Sequence, residues 1–468
     1  MVRSRSTTTN TARSRREPAE GGLAIGIDIG TSGCRAIALD SRLRVIARQE
    51  VRLPPPERTA SRSSQDPEHW WIAVCGALRG LLRDAPVASA AIAVAGTSAT
   101  CLLCDARGHP LTPGLMYDDS RAHAEAGRIS AAGGGENPAC HAQSSLSKLL
   151  WWGSRGMPED TRYLLHQADW ITARLTGVFG TSDYNNSLKL GFDAVTGMWP
   201  PWFSRLPIEM KLLPRVVAPG TPLGAVRAGI ARALGLPKTT TVVAGTTDSV
   251  AAFLASGACI PGDAVSSFGS TIALKLLTET PVTSAPHGVY SHRLGHVWLA
   301  GGASNAGGGA LAAHFTPEEM DRLTARIDPD RPTGLCFYPL PGVGERFPIA
   351  DPGKRTVLEP RPADPAVFLH AMIEGLAQIE AEGYALLARL GASPVKRLWT
   401  SGRTADNPVL RHLREQRFGR MLQPEHEITP AAGAARLAAC ALEEKMWHSS
   451  SILATLGAAH ARPGQNNE

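Results

Sequence analysis

A carboxylate, a glycine-containing turn and a cation lie close together near the start of the chain. Asp28 ends an apolar run, the turn Gly30-Thr31-Ser32 follows it, and Arg35 comes shortly after. The backbone N–H groups of such a turn can point at an anion, and the two hydroxyls and the guanidinium suit phosphate oxygens. Asp28 suits Mg²⁺ held through water beside a phosphate. The group predicts a phosphate site, with an ordinary hairpin as the alternative.

A second turn of the same kind lies about half a chain further on. Gly269, Ser270 and Thr271 again place a glycine and two hydroxyls between apolar runs. Neither turn is a Walker A loop or a dinucleotide fingerprint, because a strand rather than a helix is predicted after each. A strand–turn–strand unit present once in each half predicts two related lobes around one cleft.

Asp248 has the features of a general base. It follows the strand-like run Thr241 to Gly245 and begins a predicted helix that ends near Ser256. Phosphoryl transfer to a hydroxyl needs Mg²⁺, donors around the phosphates and a carboxylate that accepts the proton. A carboxylate in this position should face the predicted cleft, where it could accept such a proton. Its alternative role is that of a helix N-cap.

The elements that must position these groups alternate between strands and helices. A helix is predicted over 66–84, because Asp66 can cap it and Pro67 occupies its first position. Helical spacing extends from Leu146 to Gly177, and the Pro- and Gly-rich region 200–237 is predicted to be irregular. The remaining predicted strands are 23–29, 36–40, 91–96, 100–105, 241–245, 264–268 and 272–277.

The composition is that of a globular chain of two domains. Its 468 residues are 43% hydrophobic and 19% charged, and no apolar run approaches the length of a membrane helix. The eight cysteines are scattered, and Cys101 and Cys104 fall within one apolar strand, so we expect them to be structural. A soluble chain without a disulfide framework is predicted.

The basic charge is concentrated at the N-terminus. Residues 1–20 carry five Arg and two Glu, which is +3 of the net charge of +6. No basic run interleaved with aromatic residues occurs in the rest, so nucleic-acid binding is not favoured. Residues 1–21 are predicted to be a disordered tail, with a transit segment as the alternative.

These motifs resemble, in the same order, those of the FGGY carbohydrate kinases. The resemblance covers residues 22–442. It rests on Asp28-Ile-Gly-Thr-Ser-Gly-Cys-Arg35, Gly245-Thr-Thr-Asp248, Gly269-Ser-Thr271, Gly301-Gly-Ala-Ser-Asn-Ala-Gly-Gly309 and Ser401-Gly-Arg-Thr-Ala-Asp-Asn-Pro408. In the family these are the first phosphate motif, the segment of the base, the second phosphate motif, a stretch near the nucleotide and the adenosine motif. The resemblance thus implies that Asp248 is the catalytic base and, with Asp28, a metal ligand.

The resemblance implies an α/β fold of two actin-like (ribonuclease H-like) lobes with a nucleotide cleft between them. We expect an N-terminal, sugar-binding lobe at 22–250 and a C-terminal lobe at 251–468. ATP and Mg²⁺ are the implied cofactors, and Gly308, Gly402 and Asn407 join the two turns as nucleotide-binding candidates. No nucleic-acid or membrane partner is expected. A cytoplasmic location (plastid if the tail is a transit segment) and a homodimer are the remaining expectations.

The resemblance also places sugar contacts at Thr97, Ser98, Tyr117, Asp118 and Asp119. Xylulose kinases usually have a Gln-Met-His type sequence where Thr97 and Ser98 stand, which is a departure. The polar run from 182 to 193 is similar to that of FGGY kinases assigned to D-ribulose in cyanobacteria and plants. A ketopentose, D-ribulose or D-xylulose, is therefore the expected acceptor.

The adenosine motif departs from the family because Gly402 is followed by Arg403 and Thr404 instead of a further glycine. Arg403 would then either stack on adenine or weaken ATP binding. A weakly catalytic nucleotide or sugar sensor of the same fold is thus one alternative, opposed by the retained Asp28, Arg35 and Asp248. An actin-like ATPase coupled to a protein partner is a second alternative, opposed by the polar segments near 117–121 and 183–187.

Overall fold

The computed structural model describes residues 22–135, 137–423 and 428–442, so the predicted tail at 1–21 lies outside the described residues. The first half alternates strands with helices. Its elements are β1 (Leu23–Ile29), β2 (Gly33–Leu39), β3 (Val45–Arg52), β4 (Glu57–Thr59), β5 (Arg62–Gln65), α1 (Pro67–Asp84), β6 (Ala90–Gly96), β7 (Cys101–Cys104), β8 (Gly114–Leu115), α2 (His123–Ile129), α3 (Ser145–Arg155), β9 (Tyr163–His166), α4 (Gln167–Thr176), β10 (Thr181–Asp183), β11 (Arg215–Val217), β12 (Pro222–Ala225), α5 (Ala228–Leu234), β13 (Thr241–Val243), β14 (Thr246–Thr247) and α6 (Asp248–Ala255).

The second half begins with a new hairpin and ends with helices. Its elements are β15 (Asp263–Phe268), β16 (Ile272–Thr278), β17 (Tyr290–Leu294), β18 (Val297–Ser304), α7 (Gly308–Ala312), α8 (Pro317–Thr324), α9 (Pro365–Arg389), β19 (Arg397–Ser401), α10 (Pro408–Phe418) and α11 (Pro430–Ala439).

A seven-stranded mixed sheet forms the centre of the first half. Its strands run in the order β12-β13-β6-β1-β2-β3, and β14 also pairs with β6. β1, β13 and β14 are parallel to β6, whereas β1, β2 and β3 form an antiparallel meander. Every residue of β1 and β6 is buried, as expected for central strands covered on both faces.

Helix α1 shows how the local sequence sets an element. The Asp66 side chain caps the helix by accepting a hydrogen bond from the Glu68 amide at 2.9 Å, and Pro67 opens it, which confirms the prediction. Trp70, Val74 and Leu78 lie on one face at helical spacing and are fully buried in the first core.

The second half repeats the hairpin of the first. β15 and β16 are antiparallel in the sheet β17-β18-β16-β15-β19, as β1 and β2 are in theirs. The turns at 30–32 and 269–271 stand at equivalent places, so the predicted duplication is confirmed. Helices α8, α9 and α10 cover the outer face of this sheet.

Helices α6 and α11 lie between the two large sheets. One core joins alanines of β6, apolar residues of β15 to β18, and both helices. A Cβ at Gly433 of α11 would lie 1.6 Å from the Ala251 carbonyl oxygen of α6, and one at Gly26 of β1 would lie 1.9 Å from the Ala431 carbonyl oxygen. Only glycine therefore permits these two crossings.

Two parts of the predicted chain differ from the structure. The region with helical spacing contains β9, which pairs antiparallel with β7, so tertiary pairing overrides the local pattern there. The region predicted to be irregular contains α5, whose Ala231 and Leu234 pack into the first core.

The expected structural role of Cys101 and Cys104 is confirmed. Cys101 and Cys104 are buried in a strand, and all eight cysteines are free. Trp152 and Trp170 are core residues, whereas Trp151 is only partly buried. Within the described ranges, no helix combines the length and the apolar character needed to cross a bilayer.

Gly433→Ala should destabilise the protein by roughly 3 kcal/mol or more, because the added methyl group would overlap the Ala251 backbone of α6. Gly153→Ala is the matched control, since Gly153 is an exposed helical residue and its Cβ would meet no atom within 4 Å. Thermal unfolding measures both, and equal melting temperatures for Gly433→Ala and wild type would refute the tight crossing.

Candidate active site

Three neighbouring strands of the first sheet end at the same edge and bring the candidate residues together. Asp28 of β1 pairs in register with Ala95 of β6, and Ala95 pairs with Thr246 of β14. The chain then continues into Thr97 after β6 and into Asp248 at the start of α6. This convergence follows from parallel strands sharing their carboxyl ends, where α/β folds bind ligands.

A cavity of about 500 Å³ opens at this edge. Charged and hydroxyl side chains dominate its wall. Its lining comprises Asp28, Gly30, Thr31, Arg35, Thr97, Ser98, Tyr117, Lys189, Asp248, Ser249, Tyr290 and Pro430. We call it the acidic cavity, after Asp28 and Asp248.

Asp28 is a buried carboxylate that lacks full compensation. Its side chain is 4% exposed, Arg35 lies 3.7 Å from one carboxylate oxygen, and Oδ1 has no hydrogen-bond partner among the residues that the structure describes. Burial, followed by the negative charge of Asp248, raises the pKa of Asp28 to about 7 despite Arg35. A cation near Oδ1 would restore the balance.

Asp248 occupies the first turn of α6. Thr247 is the N-cap residue, and Asp248 Oδ1 accepts a hydrogen bond from the Ser249 amide at 2.6 Å. Burial raises the pKa of Asp248, against the Ser249 amide and the charges of Lys189 and Lys275. A carboxylate with a raised pKa that faces a cavity suits proton transfer near neutral pH.

Asp28 and Asp248 fit a magnesium ion that takes most of its ligands from water and phosphates. Across the described residues, no group of three or more His, Cys, Asp or Glu side chains could hold a metal alone. Two carboxylates, one with an unpartnered oxygen, match the way Mg²⁺ is usually held beside nucleotide phosphates.

The first hairpin turn is anchored by its backbone and leaves space on its cavity side. The Gln65 side chain donates to the Thr31 carbonyl at 3.0 Å, and the Leu53 amide donates to the Ser32 carbonyl at 2.9 Å. A Cβ at Gly30 would meet nothing closer than 3.6 Å. Ser32 is exposed and does not line the acidic cavity.

The second hairpin turn borders a separate cavity of about 860 Å³. We call it the purine-sized cavity, because it has room for a purine ring and its wall is largely apolar. It is lined by Phe268, Gly269, Ser270, Gly308, Gly309, Leu311, Ala312, Pro317, Met320, Asp321, Thr324, Ala325, Arg403, Thr404, Asp406, Asn407 and Pro408. Thr271, the third residue of the turn, is not part of this wall.

Close contacts explain two of the glycines in this cavity. A Cβ at Gly402, whose φ is 97°, would lie 2.3 Å from the Phe268 carbonyl oxygen. A Cβ at Gly308 would lie 2.3 Å from the Thr404 hydroxyl oxygen, and the Gly308 amide donates to the Gly269 carbonyl at 2.8 Å. Thr404 therefore takes space that a residue larger than glycine at 308 would need.

Asn407 lines the purine-sized cavity, but its polar atoms serve the protein. Its side-chain oxygen caps α10 through the Val409 and Leu410 amides, and its Nδ2 donates to the Thr324 hydroxyl at 2.9 Å. The predicted contact of Asn407 with a nucleotide would therefore be a van der Waals contact. Arg403 lines the same cavity.

The Thr97 and Ser98 candidates differ in their surroundings. The Thr97 hydroxyl lies 2.6 Å from the Thr100 hydroxyl and 3.0 Å from Gln167 Oε1, so it stabilises its own turn. Ser98 is partly exposed and lines the acidic cavity. Ala99, between them and Thr100, has a positive φ of 65°.

The three candidates from Tyr117 to Asp119 do not act together. Tyr117 is 45% exposed and lines the acidic cavity. Asp118 pairs with Arg58 at 3.1 Å and does not line the cavity. Asp119 is fully buried, because its carboxylate binds Arg121 in bidentate fashion and the Ser63 amide at 2.7 Å. The placement thus favours Tyr117 over the two carboxylates as a ligand contact.

Sequence reasoning missed Lys148. This residue connects the two loops that carry the candidate sugar contacts, 97–100 and 116–121, which we call the sugar-candidate loops. Its side chain is fully buried, and its Nζ donates to the Ala99 carbonyl at 2.8 Å and to the Met116 carbonyl at 2.7 Å. Burial lowers the pKa of Lys148 to about 8. The Leu146–Trp152 stretch looks like ordinary helix, so no local signal marks this lysine.

Lys189 and Tyr290 also line the acidic cavity without having been predicted. Lys189 lies in a short 3₁₀ turn, Ser187–Leu190, inside the polar run from 182 to 193. Asn185 in the same run donates to Thr246 and to the Arg293 carbonyl, both at 3.2 Å, and so links the two halves. The polarity of this run between apolar segments was the sequence signal that could have identified Lys189.

Comparison with known proteins adds a family to this geometry. The models described as the N-terminal and C-terminal domains of the FGGY family of carbohydrate kinases match residues 23–255 and 264–442. A xylulose kinase of Streptomyces coelicolor is 33% identical over 54% of each chain, and one of Escherichia coli is 26% identical over 89% of each chain. The chain thus spans about half the length of the Streptomyces relative.

A solved structure shares the fold of the whole chain. A protein from Brucella ovis, described as a xyloylose kinase, matches with a TM-score of 0.82 and 22% identity, over 94% of this chain and 96% of that one. At this identity the similarity shows the fold. The predicted fold class of two actin-like α/β lobes is confirmed.

Asp28→Asn should change the pH dependence of stability in the absence of magnesium. Because the pKa of Asp28 is raised to about 7 when folded, the folded chain binds more protons than the unfolded chain above pH ~4, and wild type loses stability as pH rises towards 7. The variant lacks this loss. Its melting temperature minus that of wild type should therefore increase by roughly 2 to 4 °C from pH 5 to pH 8.

The exposed carboxylate variant Glu159→Gln is the control for this series. Adding Mg²⁺ at pH 8 should stabilise wild type and Glu159→Gln but not Asp28→Asn. A pH-independent difference between Asp28→Asn and wild type would contradict the raised pKa.

Lys148→Met should loosen both sugar-candidate loops, because the Ala99 and Met116 carbonyls lose their buried donor. We expect a loss of roughly 2 to 5 kcal/mol in stability and faster amide hydrogen exchange in 97–100 and 116–121. Exposed Lys238→Met serves as control. Unchanged exchange in both loops would show that Lys148 does not hold them.

Proposed function

The chain belongs to the FGGY family of carbohydrate kinases, and on that premise we propose that it transfers the γ-phosphoryl group of ATP to a hydroxyl of a small sugar. One observation carries the proposal. Asp28, Asp248 and the first hairpin turn face one cavity, which also presents Ser98 and Tyr117. Carboxylates, hydroxyls and an aromatic ring are the groups that suit a polyhydroxy acceptor beside a phosphate.

We assign the nucleotide to the purine-sized cavity and the two turns. Thr31, Ser32 and Arg35 would face its phosphates from the first lobe, and Gly269, Ser270 and Thr271 from the second. Gly308, Gly402 and Asn407 would border the adenosine. Bound magnesium, held by Asp28 and Asp248, would supply charge neutralisation on the phosphate oxygens.

The chain's own part in the transfer is to place the acceptor and receive its proton. The acceptor hydroxyl loses its proton to an Asp248 carboxylate oxygen, and its oxygen forms a bond to the γ-phosphorus. The bond from that phosphorus to the bridging oxygen breaks, and ADP leaves with the electron pair. Rotation of the lobes about α6 and α11 would exclude water during this step.

A ketopentose is the proposed acceptor, either D-ribulose or D-xylulose. The relatives described above carry the name xylulose kinase, whereas the polar run from 182 to 193 resembles kinases assigned to D-ribulose. The acidic cavity of about 500 Å³ is large enough for a five-carbon sugar and the reacting phosphoryl group. Division into lobes at 250/251, a cytoplasmic location and a homodimer stay predictions.

The test of the function is ADP release from Mg·ATP across a panel of ketoses, polyols and aldoses. We expect turnover with one ketopentose well above the rest. Silence across the panel together with intact ATP binding would favour the sensor, for which the Arg403-Thr404 departure is the support. ATP turnover without any acceptor would favour the ATPase.

Asp248→Asn should lower kcat by roughly two orders of magnitude or more and leave ATP binding nearly intact, because the amide cannot accept the proton. The exposed carboxylate Asp160 provides the control Asp160→Asn, which should retain full turnover. Near-normal turnover of Asp248→Asn would refute Asp248 as the base.

A further inference from the structure

Lys189 presents an uncompensated cation to the acidic cavity. Its side chain is half-buried and lines the cavity opposite Asp248 and Tyr290. In the part of the chain that the structure describes, no carboxylate lies within ion-pair distance of its ammonium group. The turn that carries it is fixed, because Asn185 binds both Thr246 and β17.

Lys275 presents a second cation from the other lobe. It stands in β16 opposite Gly301 of β18, and Gly301 stands opposite Tyr290 of β17. A Cβ at Gly301 would lie 2.8 Å from Lys275 Cδ and 3.1 Å from its Nζ. The lysine therefore lies across the glycine, with its ammonium 5.9 Å from the centre of the Tyr290 ring.

The partner of Lys275 is a neutral imidazole rather than an acid. Its Nζ lies 3.3 Å from His292 Nδ1, and an ammonium group can only donate, so Nδ1 is the acceptor. Burial and the charges of Lys275 and Lys189 hold the pKa of His292 well below its usual range, which agrees with a neutral ring. Among the described residues, Lys275 thus has no carboxylate in contact, and burial lowers its pKa.

The two lysines act on the same groups. Both charges lower the pKa of Tyr290, and both oppose the rise that burial causes in the pKa of Asp248. Tyr290 also connects the two lysines in space, because it lines the acidic cavity together with Lys189 and its ring centre lies 5.9 Å from Lys275 Nζ. Two partly desolvated like charges are unfavourable unless an anion binds between them. Arg35 differs, because Glu50 at 2.8 Å already pairs with it.

We propose that Lys189, in the wall of the acidic cavity, and Lys275, which lies beside Tyr290 of that wall, form a two-lysine site that binds an oxyanion at the Tyr290 side of the cavity. The oxyanion has two possible sources: the phosphoryl group delivered to the acceptor, or a carboxylate carried by an acidic sugar acceptor. The proposal rests on the proposed function only in placing an acceptor in this cavity. Tyr290 would offer its hydroxyl beside the same group.

The test is calorimetric titration without ATP, using inorganic phosphate, D-ribonate and ribitol as probes. D-ribonate and ribitol share a five-carbon chain and differ in one carboxylate. Lys189→Met and Lys275→Met should each weaken binding of the oxyanion probe at least tenfold and leave ribitol unchanged. Lys189→Arg and Lys275→Arg should restore most of the affinity, and Lys238→Met is the matched control.

The pattern of binding identifies the source. Lysine-dependent binding of D-ribonate, tighter than that of ribitol, assigns the site to an acidic acceptor. Lysine-dependent binding of phosphate, with no preference for D-ribonate, assigns it to the transferred phosphoryl group. Phosphate and D-ribonate affinities that are the same in wild type and both Met variants overturn the proposal.

A second variant covers the case in which a Met variant does not fold. Lys275→Gln keeps a polar side chain across Gly301 but removes the charge, so it should weaken binding of the same oxyanion probe. Kinase turnover of the wild-type chain is measured separately. Turnover with lysine-independent binding refutes the two-lysine site alone, whereas lysine-dependent binding without turnover refutes the kinase alone.

Discussion

The crossing of α6 and α11 between the two large sheets is the constraint on which the rest of the structure depends. Gly433 lets α11 approach the Ala251 carbonyl of α6, and Gly26 lets β1 approach α11 from the other side. Both lobes pack on this helix pair through one shared core. Asp248 begins α6, so the proposed base is attached to the element that both lobes hold. If the lobes moved relative to each other, Asp248 would keep its position on the shared helix pair.

The acidic cavity collects charges that the protein alone does not compensate. Among the described residues, one buried oxygen of Asp28 has no hydrogen-bond partner, the pKa of Asp28 is raised, and neither Lys189 nor Lys275 has a carboxylate in contact. Desolvation makes both signs unfavourable in the free protein, and a ligand set containing a divalent cation and an oxyanion would relieve both. The arrangement therefore stores part of the binding free energy as unsatisfied electrostatics, at the expense of stability.

Local sequence was sufficient for features whose cause is local. The two hairpins, the capped helix α1 and the position of Asp248 follow from turn residues, capping residues and strand ends. Other features arise from contacts between distant segments and leave no local trace. β9 is a strand because it pairs with β7, Lys275 crosses Gly301 on a neighbouring strand, and Gly433 is required by Ala251. The duplicated turn succeeded as a signal because the fold repeats it.

Sugar selectivity is harder to predict from the sequence, because residues behind the cavity wall determine which side chains reach the cavity. Asp118 and Asp119 have the chemistry of sugar ligands, yet Arg121 and the Ser63 amide occupy Asp119, and Arg58 pairs with one oxygen of Asp118. Lys148 sets the depth of both loops through the Ala99 and Met116 carbonyls. Relatives with the same wall residues but different buried partners would therefore present different polar groups to an acceptor. The choice of the proposed acceptor would consequently depend on these buried partners as much as on the residues that face the acceptor.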